Sequence, residues 1–312
     1  MINNTIEIKI TYFCNFRCAF CVVGDRRKNR KNLSNKKILE YLDKIMADNY
    51  IDTIHISGGE PTIYKGLIDL LKEIQKRKIK NIILHTNAVM LANDLYAKNV
   101  LSIITNIFVS LHTLNEETHE SISGIKNQLQ LQLRGIKNCV SAGVTTLVNT
   151  VITKENLHEL IDISNYLIKI NVNGWMVTFP FIAGWLRGKE EKIIPNSLNE
   201  LKSYLYPVIE NCINKNFHII SNGIPLCYFD KYLPNLINSY KAINEMGFDW
   251  SNRKLIDSES VNNNDEYMIE DVSNIYKPKR CKRCLLNYDC SGFCKTLIDG
   301  EKWPNFKIIY KI

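Results

Sequence analysis

Apolar and polar positions alternate over Thr5–Tyr12 (TIEIKITY), with isoleucine at positions 6, 8 and 10 and Glu7 and Lys9 between them. Period-two alternation rich in β-branched residues predicts a strand. After Ser34 the rhythm changes. Ile38, Leu39, Leu42, Ile45 and Met46 recur at helical spacing, and Ser34 is placed to cap the helix they predict. The two rhythms then trade places. Strands are predicted at Asp52–Ser57, Asn81–Thr86, Asn106–His112, Thr145–Ile152 and Gly174–Pro180. Helices are predicted at Gly66–Lys76, about Leu91–Lys98, about Leu129–Ala142, Asn156–Lys169 and about Leu198–Lys215, with Gly143 as a C′ glycine.

Six βα units in succession predict an α/β fold with a parallel sheet and helices outside it. Six is too few for a closed eight-stranded barrel and too many for one nucleotide-binding half, so an open or partial barrel fits best. In such folds chemistry gathers at the C-terminal ends of the strands. Three cysteines follow the first strand and "GGEP" the second. Thr86–Asn87 follow the third, and Ser110 and His112 close the fourth. After about Asn216 the periodicity weakens, polar stretches such as Ser258–Glu266 appear, and a second cysteine group follows. The expected organisation is a barrel over 1–216 and a small domain over 217–312, organised by metal more than by a hydrophobic core.

The chain has 312 residues, 45% apolar and 23% charged, which is ordinary for a soluble globular protein. No apolar run approaches the roughly 18–20 residues of a membrane span, and the N-terminus lacks a signal-peptide core. A cytoplasmic protein is expected. Ten cysteines in such a chain read as metal ligands or redox thiols before disulfides. The net charge of +8 is concentrated at Arg26–Lys31 (RRKNRK) and Lys277–Arg283 (KPKRCKR). These runs are solvated loops or attract an acidic partner. No motif or basic–aromatic stripe points to nucleic acid.

Cys14, Cys18 and Cys21 are spaced C-x3-C-x2-C. A structural zinc site takes four ligands. Three thiols leave one coordination position open, unless a fourth ligand arrives from elsewhere. Thiolates are soft ligands that suit iron–sulfur clusters. In Ser57–Pro61, Gly58 and Gly59 let backbone approach a ligand closely, and Glu60 supplies an acceptor for an ammonium group.

With "CNFRCAFC" followed by "GGEP", the chain resembles the radical S-adenosylmethionine (radical SAM) superfamily. The resemblance implies a partial (β/α)6 TIM-like barrel and a 4Fe–4S cluster on Cys14, Cys18 and Cys21. S-adenosylmethionine would bind the remaining iron and be cleaved reductively to a 5′-deoxyadenosyl radical. It further implies that Gly58, Gly59, Glu60 and Pro61 hold the methionyl end and that Phe20 lies against the adenine. Asn87, Ser110 and Asn149 are candidate contacts, with ordinary strand-end hydrogen bonding as the alternative. Ala88 stands where a glycine is common. A flavodoxin- or ferredoxin-type reductant would supply the electron.

Cys281, Cys284, Cys290 and Cys294 are spaced C-x2-C-x5-C-x3-C. Alone they would suit a zinc knuckle. Behind such a barrel they resemble the auxiliary-cluster region called SPASM, or its shorter relative Twitch. Cys212, Gly223 and Cys227 give C-x10-G-x3-C, one residue short of the SPASM opening, and no cysteine follows Cys294. One auxiliary 4Fe–4S cluster on Cys227, Cys281, Cys284 and Cys290 is expected. Cys294 is then a fifth ligand, a spare thiol or a catalytic hydrogen-atom donor. Cys139 and Cys212 read as core residues. His55, His85 and His112 face either the cofactor or the core, and Trp175, Phe179, Phe181 and Trp185 either line a substrate mouth or pack the barrel.

The resemblance gives a reaction type and leaves the substrate open. The leading expectation is epimerisation, cross-linking or dehydrogenation of a ribosomally made peptide, although the first strand begins too near Met1 for a peptide-recognition domain ahead of it. A small-molecule dehydrogenase or epimerase acting on a sugar, alcohol or nucleotide is the alternative. A zinc-bound structural or adaptor protein is the non-enzymatic one.

Overall fold

The computed structural model describes residues 5–28, 32–248, 254–256, 275–287, 290, 292–298, 303 and 309. The expected βα succession is present: β1 (Thr5–Thr11), α1 (Asn35–Asp48), β2 (Thr53–Gly58), α2 (Leu67–Lys76), β3 (Asn81–Thr86), α3 (Asp94–Leu101) and β4 (Asn106–Ser110). Next come α4 (Glu116–Ser123), α5 (Leu129–Ser141), β5 (Thr145–Val151), α6 (Leu160–Lys169), β6 (Gly174–Thr178), α7 (Glu190–Ile193) and α8 (Leu198–Asn214). Past residue 216 lie β7 (Ile219–Asn222), α9 (Leu233–Glu245), β8 (Lys254–Ile256), β9 (Ile275–Tyr276) and β10 (Phe293–Cys294).

The first eight strands form one open sheet in the order β7-β6-β5-β4-β3-β2-β1-β8, every neighbouring pair parallel. The α/β class and the partial-barrel topology match the sequence expectation. Four strands among the described residues were not foreseen: β7 and β8 extend the six predicted strands at the two edges of the sheet, and β9 and β10 lie outside it. The antiparallel pair β9–β10 stands apart.

Alternation on the strands sorts residues onto two faces. Ile6, Ile8 and Ile10, Ile54 and Ile56, Ile82 and Leu84, and Ile107 and Val109 enter the main core with the helices. On the other face Ile83, Leu147, Met176 and Ile220 meet Ile243 of α9 and Phe248 in a second apolar cluster. That cluster fills the inner face of the sheet toward β6 and β7. Glu7 and Lys9, on the inner face of β1, are buried and line an open cleft. Because the strands are parallel, their C-terminal ends converge on this cleft.

Candidate active site

The loop after β1 carries the three cysteines and is held on both flanks. On one side Arg17 N–H donates to the Ser123 carbonyl at 2.6 Å and Ala19 N–H to the Ile122 carbonyl at 3.1 Å. These are acceptors at the C-terminus of α4, a helix that sequence periodicity missed, as it did α7 and α9. Its N-cap is Asn115, whose side chain accepts from Glu117 N and Thr118 N, and it stops at left-handed Gly124. On the other side Trp185 N–H donates to the Cys21 carbonyl at 3.1 Å. Phe16 and Phe20 turn inward and are buried, edge-on to His119 and His112 respectively.

Gly58 and Gly59 are required by the cysteine loop itself. A Cβ on Gly58 would lie 2.0 Å from the Thr11 carbonyl oxygen, and one on Gly59 would lie 2.2 Å from that of Phe13. Gly59 N–H donates to the Thr11 carbonyl at 2.7 Å and Glu60 N–H to the Phe13 carbonyl at 2.8 Å. The close approach expected of these glycines is made first by backbone to backbone.

Glu60 is buried and its carboxylate is caged. Oε1 accepts from Thr62 N at 3.0 Å, from the Thr62 hydroxyl and from the Thr86 hydroxyl at 2.6 Å. Oε2 accepts from Asn87 N at 2.7 Å. Burial pushes the Glu60 carboxyl up, and these four bonds oppose that rise. Asn87 uses its amide to brace the cysteine loop, donating to Asn15 Oδ1 at 2.7 Å. Ala88 adopts φ +63°, the left-handed conformation that suits glycine. The buried side chain of Gln132 on α5 ties the Asn87 and Ser110 carbonyls together at 3.0 and 2.8 Å. Sequence reading missed Gln132; its signal is a lone amide at the core-facing position between Leu129 and Ile136.

The predicted residues Cys14, Cys18, Phe20, Cys21, Gly58, Gly59, Glu60, Asn87, Ser110 and Asn149 line this one cleft of about 270 Å³. Pro61 does not. It is buried and opens the short 3-10 turn Pro61–Ile63, outside the lining of the cleft. Ser110 and Asn149 are register partners on β4 and β5, and Asn149 Oδ1 accepts from the Thr178 hydroxyl at 2.6 Å. His112, left open between cofactor and core, reaches the cleft. Its Nδ1 accepts from Val151 N–H at 3.2 Å, which leaves the proton of the neutral ring on Nε2. Burial, with His119 nearby, lowers its pKa to about 3. His55 and His85 face inward as a pair, Nδ1 to Nε2 at 2.8 Å, and His85 lines the cleft. Trp175 and Phe179 are core residues, whereas Trp185 belongs to the cysteine loop's flank. Of the first basic run, Arg27 turns into the cleft wall instead of solvent, and residues 29–31 lie outside the described residues.

The cleft suits an iron–sulfur cluster on the chemistry of its donors. Burial raises the Cys14 pKa to about 11, with Glu60 adding to it, and pushes Cys18 higher still, with Cys21 and Cys14 adding to it. Three thiolates crowded beside a carboxylate are costly alone and become favourable around a cationic centre. Among the described residues no three Cys, His, Asp or Glu side chains converge as ligands of a single metal ion.

A second, narrow pocket gathers Cys227, Cys281, Cys284 and Cys290 with Leu226, Lys277, Leu286 and Asn287. Cys294 is buried on β10 and stands outside that wall. Cys139 and Cys212 are fully buried in the core, as expected.

The model of the Radical SAM superfamily matches residues 8–167, from β1 into α6 and across all three cysteines and the GGEP segment. The chain belongs to the radical SAM superfamily. Members of this superfamily use S-adenosylmethionine and a 4Fe–4S cluster. This radical SAM protein is 28% identical over 169 residues to a probable GTP 3′,8-cyclase of Sulfurisphaera tokodaii, covering 54% of this chain and 53% of that one. It is 32% identical over 171 residues to a GTP 3′,8-cyclase of Clostridium perfringens, covering 53% and 51%. It therefore matches about half the length of these relatives. In fold it is similar to SuiB of Streptococcus suis bound to precursor peptide SuiA, with TM-score 0.64 and 19% identity over 97% of this chain and 74% of that one. It is also similar to anSMEcpe with bound AdoMet and the Cp18Cys peptide, with TM-score 0.63 and 14% identity over 98% and 92%. Among the described residues no helix is long and apolar enough to cross a membrane.

Proposed function

We propose that this chain is a cytoplasmic radical SAM enzyme that abstracts a hydrogen atom from a ribosomally made peptide and so epimerises, cross-links or dehydrogenates it. The supporting observation is one cleft at the strand ends that brings Cys14, Cys18 and Cys21 together with Gly58, Gly59 and Glu60. In this reading the three cysteines hold three irons of a 4Fe–4S cluster. The cluster and S-adenosylmethionine, when bound, supply a 5′-deoxyadenosyl radical, the electron coming from a flavodoxin- or ferredoxin-type protein. The protein's part is position and exclusion of water. Glu60 fixes the GGEP loop against the loop after β3, so the backbone of Gly58 and Gly59 presents a rigid edge to the methionyl end. Phe20 and His112 form the adenine wall, His112 as a neutral Nε2–H donor. Ser110 and Asn149 offer hydrogen bonds from β4 and β5.

The C-terminal region is read as SPASM/Twitch-like. Residues 1–216 form the catalytic barrel, and 217–312 form a cysteine-rich segment that also lends β7 and β8 to the sheet. Cys227, Cys281, Cys284 and Cys290 would hold one auxiliary 4Fe–4S cluster. Cys294 keeps the three roles of the sequence reading: fifth ligand, spare thiol or hydrogen-atom donor.

Two observations favour a peptide. The peptide-bound neighbours share the fold over nearly the whole chain, cysteine-rich segment included, whereas the cyclase relatives align with only about half of it. The charged side chains of the cleft wall are also balanced: Lys9 and Arg27 against Glu7 and Glu60. A nucleoside triphosphate calls for a surplus of cations. The names of the sequence relatives favour the second reading, a nucleotide or other small molecule. The test is anaerobic turnover of reconstituted protein with reductant and S-adenosylmethionine, offered GTP or peptides encoded near its gene. A peptide changed in mass or stereochemistry, with 5′-deoxyadenosine formed, supports the first reading. GTP consumption replaces it with the second.

A further inference from the structure

We infer that Arg27 sets the reduction potential of the cluster on Cys14, Cys18 and Cys21, with Trp185 as its positioning residue; this rests on the reading of those cysteines proposed above. The Arg27 guanidinium forks across the cysteine loop. Nη2 donates to the Cys21 sulfur at 3.2 Å and Nη1 donates to the Phe16 carbonyl. Its Cζ lies 4.6 Å from the centre of the Trp185 ring, a cation–π seat that fixes the plane of the fork.

Trp185 is itself pinned to the same loop. Its N–H donates to the Cys21 carbonyl at 3.1 Å. Gly24 passes so near the indole that a Cβ there would lie 2.3 Å from it. Gly184, at φ +53°, passes so near the loop that its Cβ would lie 2.2 Å from the Cys21 carbonyl oxygen. Gly24 thus makes room for the ring and Gly184 for the loop's backbone, and the ring seats one guanidinium against one thiol.

The seat does not satisfy the arginine fully. Its Nε is buried without a hydrogen-bond partner among the described residues.

The chemistry follows from charge. Reduction adds one electron, delivered by the flavodoxin- or ferredoxin-type protein, and moves no proton. Negative charge on the ligating sulfurs therefore grows. A cation donating N–H to one of them stabilises the reduced form more than the oxidised form. Hydrogen bonds to the sulfurs and net charge are established determinants of cluster potential. Cys14 Sγ also accepts a bond, from Phe16 N at 3.3 Å, but that donor is neutral. Arg27 therefore raises the potential and makes the site reducible by a milder donor.

The test is a redox titration of anaerobically reconstituted full-length protein followed by electron paramagnetic resonance. The relevant signal is the one that changes when S-adenosylmethionine is added. Arg27→Gln, loaded with wild-type iron, is expected to titrate at a more negative potential. Arg27→Lys and Trp185→Leu should shift the same way by less. A wild-type potential in loaded Arg27→Gln overturns the inference. If that variant does not take up iron, wild-type potentials in both other variants overturn it. A wild-type signal that ignores S-adenosylmethionine removes the underlying cluster assignment and the inference with it.

Discussion

The Thr86 hydroxyl donates to the Glu60 carboxylate at 2.6 Å, joining the loop after β3 to the loop after β2. Neighbouring parallel strands leave their C-terminal loops side by side, and this bond, with Asn87 N–H on the other carboxylate oxygen, makes them one rigid edge. Glu60→Gln keeps the shape and turns one acceptor into a donor facing donors. Loss of about 1–3 kcal/mol of stability is expected, together with weaker S-adenosylmethionine binding. Urea unfolding and calorimetric titration of the loaded protein measure the two effects. A wild-type affinity would show that Glu60 does not shape the cofactor edge.

Ala88 occupies a left-handed conformation that costs a non-glycine residue about 1–2 kcal/mol. Ala88→Gly removes that strain and gives part of it back as unfolded-chain entropy. The melting temperature is expected to rise slightly with turnover unchanged. A fall would mean that the Ala88 methyl contributes packing that outweighs the strain.

Opposite Ala88, α5 comes so close that a Cβ on Gly135 would lie 1.9 Å from the Ala88 carbonyl oxygen. Gly135→Ala is expected to push α5 away and cost roughly 1–3 kcal/mol. Gln132 moves with the helix, so cofactor affinity should fall as well. Thermal melts and binding titrations of the variant check both parts.

His112 carries a pKa lowered to about 3 by burial. In the unfolded chain histidine titrates near 6.5. Between these values the unfolded state binds more protons, so this contribution is fully present above about pH 6.5 and is lost as pH falls toward 3. The loss at pH 5 is about 2 kcal/mol. The urea midpoint of the cluster-free protein should drop between pH 7 and pH 5, and less so in His112→Gln. Equal drops in both would assign the acid sensitivity to other groups.

Much of the barrel was legible because its strands and helices obey two clean periods. Ile6, Ile8 and Ile10 alternate with Glu7 and Lys9, and burial sends the first set to the helices and the second to the cleft. α4 was not legible by period, since EETHESIS offers a single strongly apolar residue, Ile122; only its caps, Asn115 and Gly124, announce it. β7 is four residues long, too short for a pattern. At the site, the cysteines and GGEP declared themselves by spacing. Arg27 did not, because it sits in a basic run that reads as solvated surface. Its role depends on Trp185, which is 158 residues away in sequence and meets it only after β6 is laid in the sheet.

Cys227 lines the second pocket and Cys294 does not. Cys227→Ala should lower iron by about four atoms per chain, as cube stoichiometry requires, and Cys294→Ala should leave iron unchanged. If Cys294→Ala also keeps full turnover, the hydrogen-donor role is discarded. Iron loss in Cys294→Ala would place it among the ligands.

The most direct measurement is 5′-deoxyadenosine formation by anaerobically reconstituted protein given S-adenosylmethionine and a strong reductant, wild type beside Cys14→Ala/Cys18→Ala/Cys21→Ala. The account predicts formation by the wild type and none by the triple variant. No 5′-deoxyadenosine from fully loaded wild type, or equal amounts from both, would contradict it.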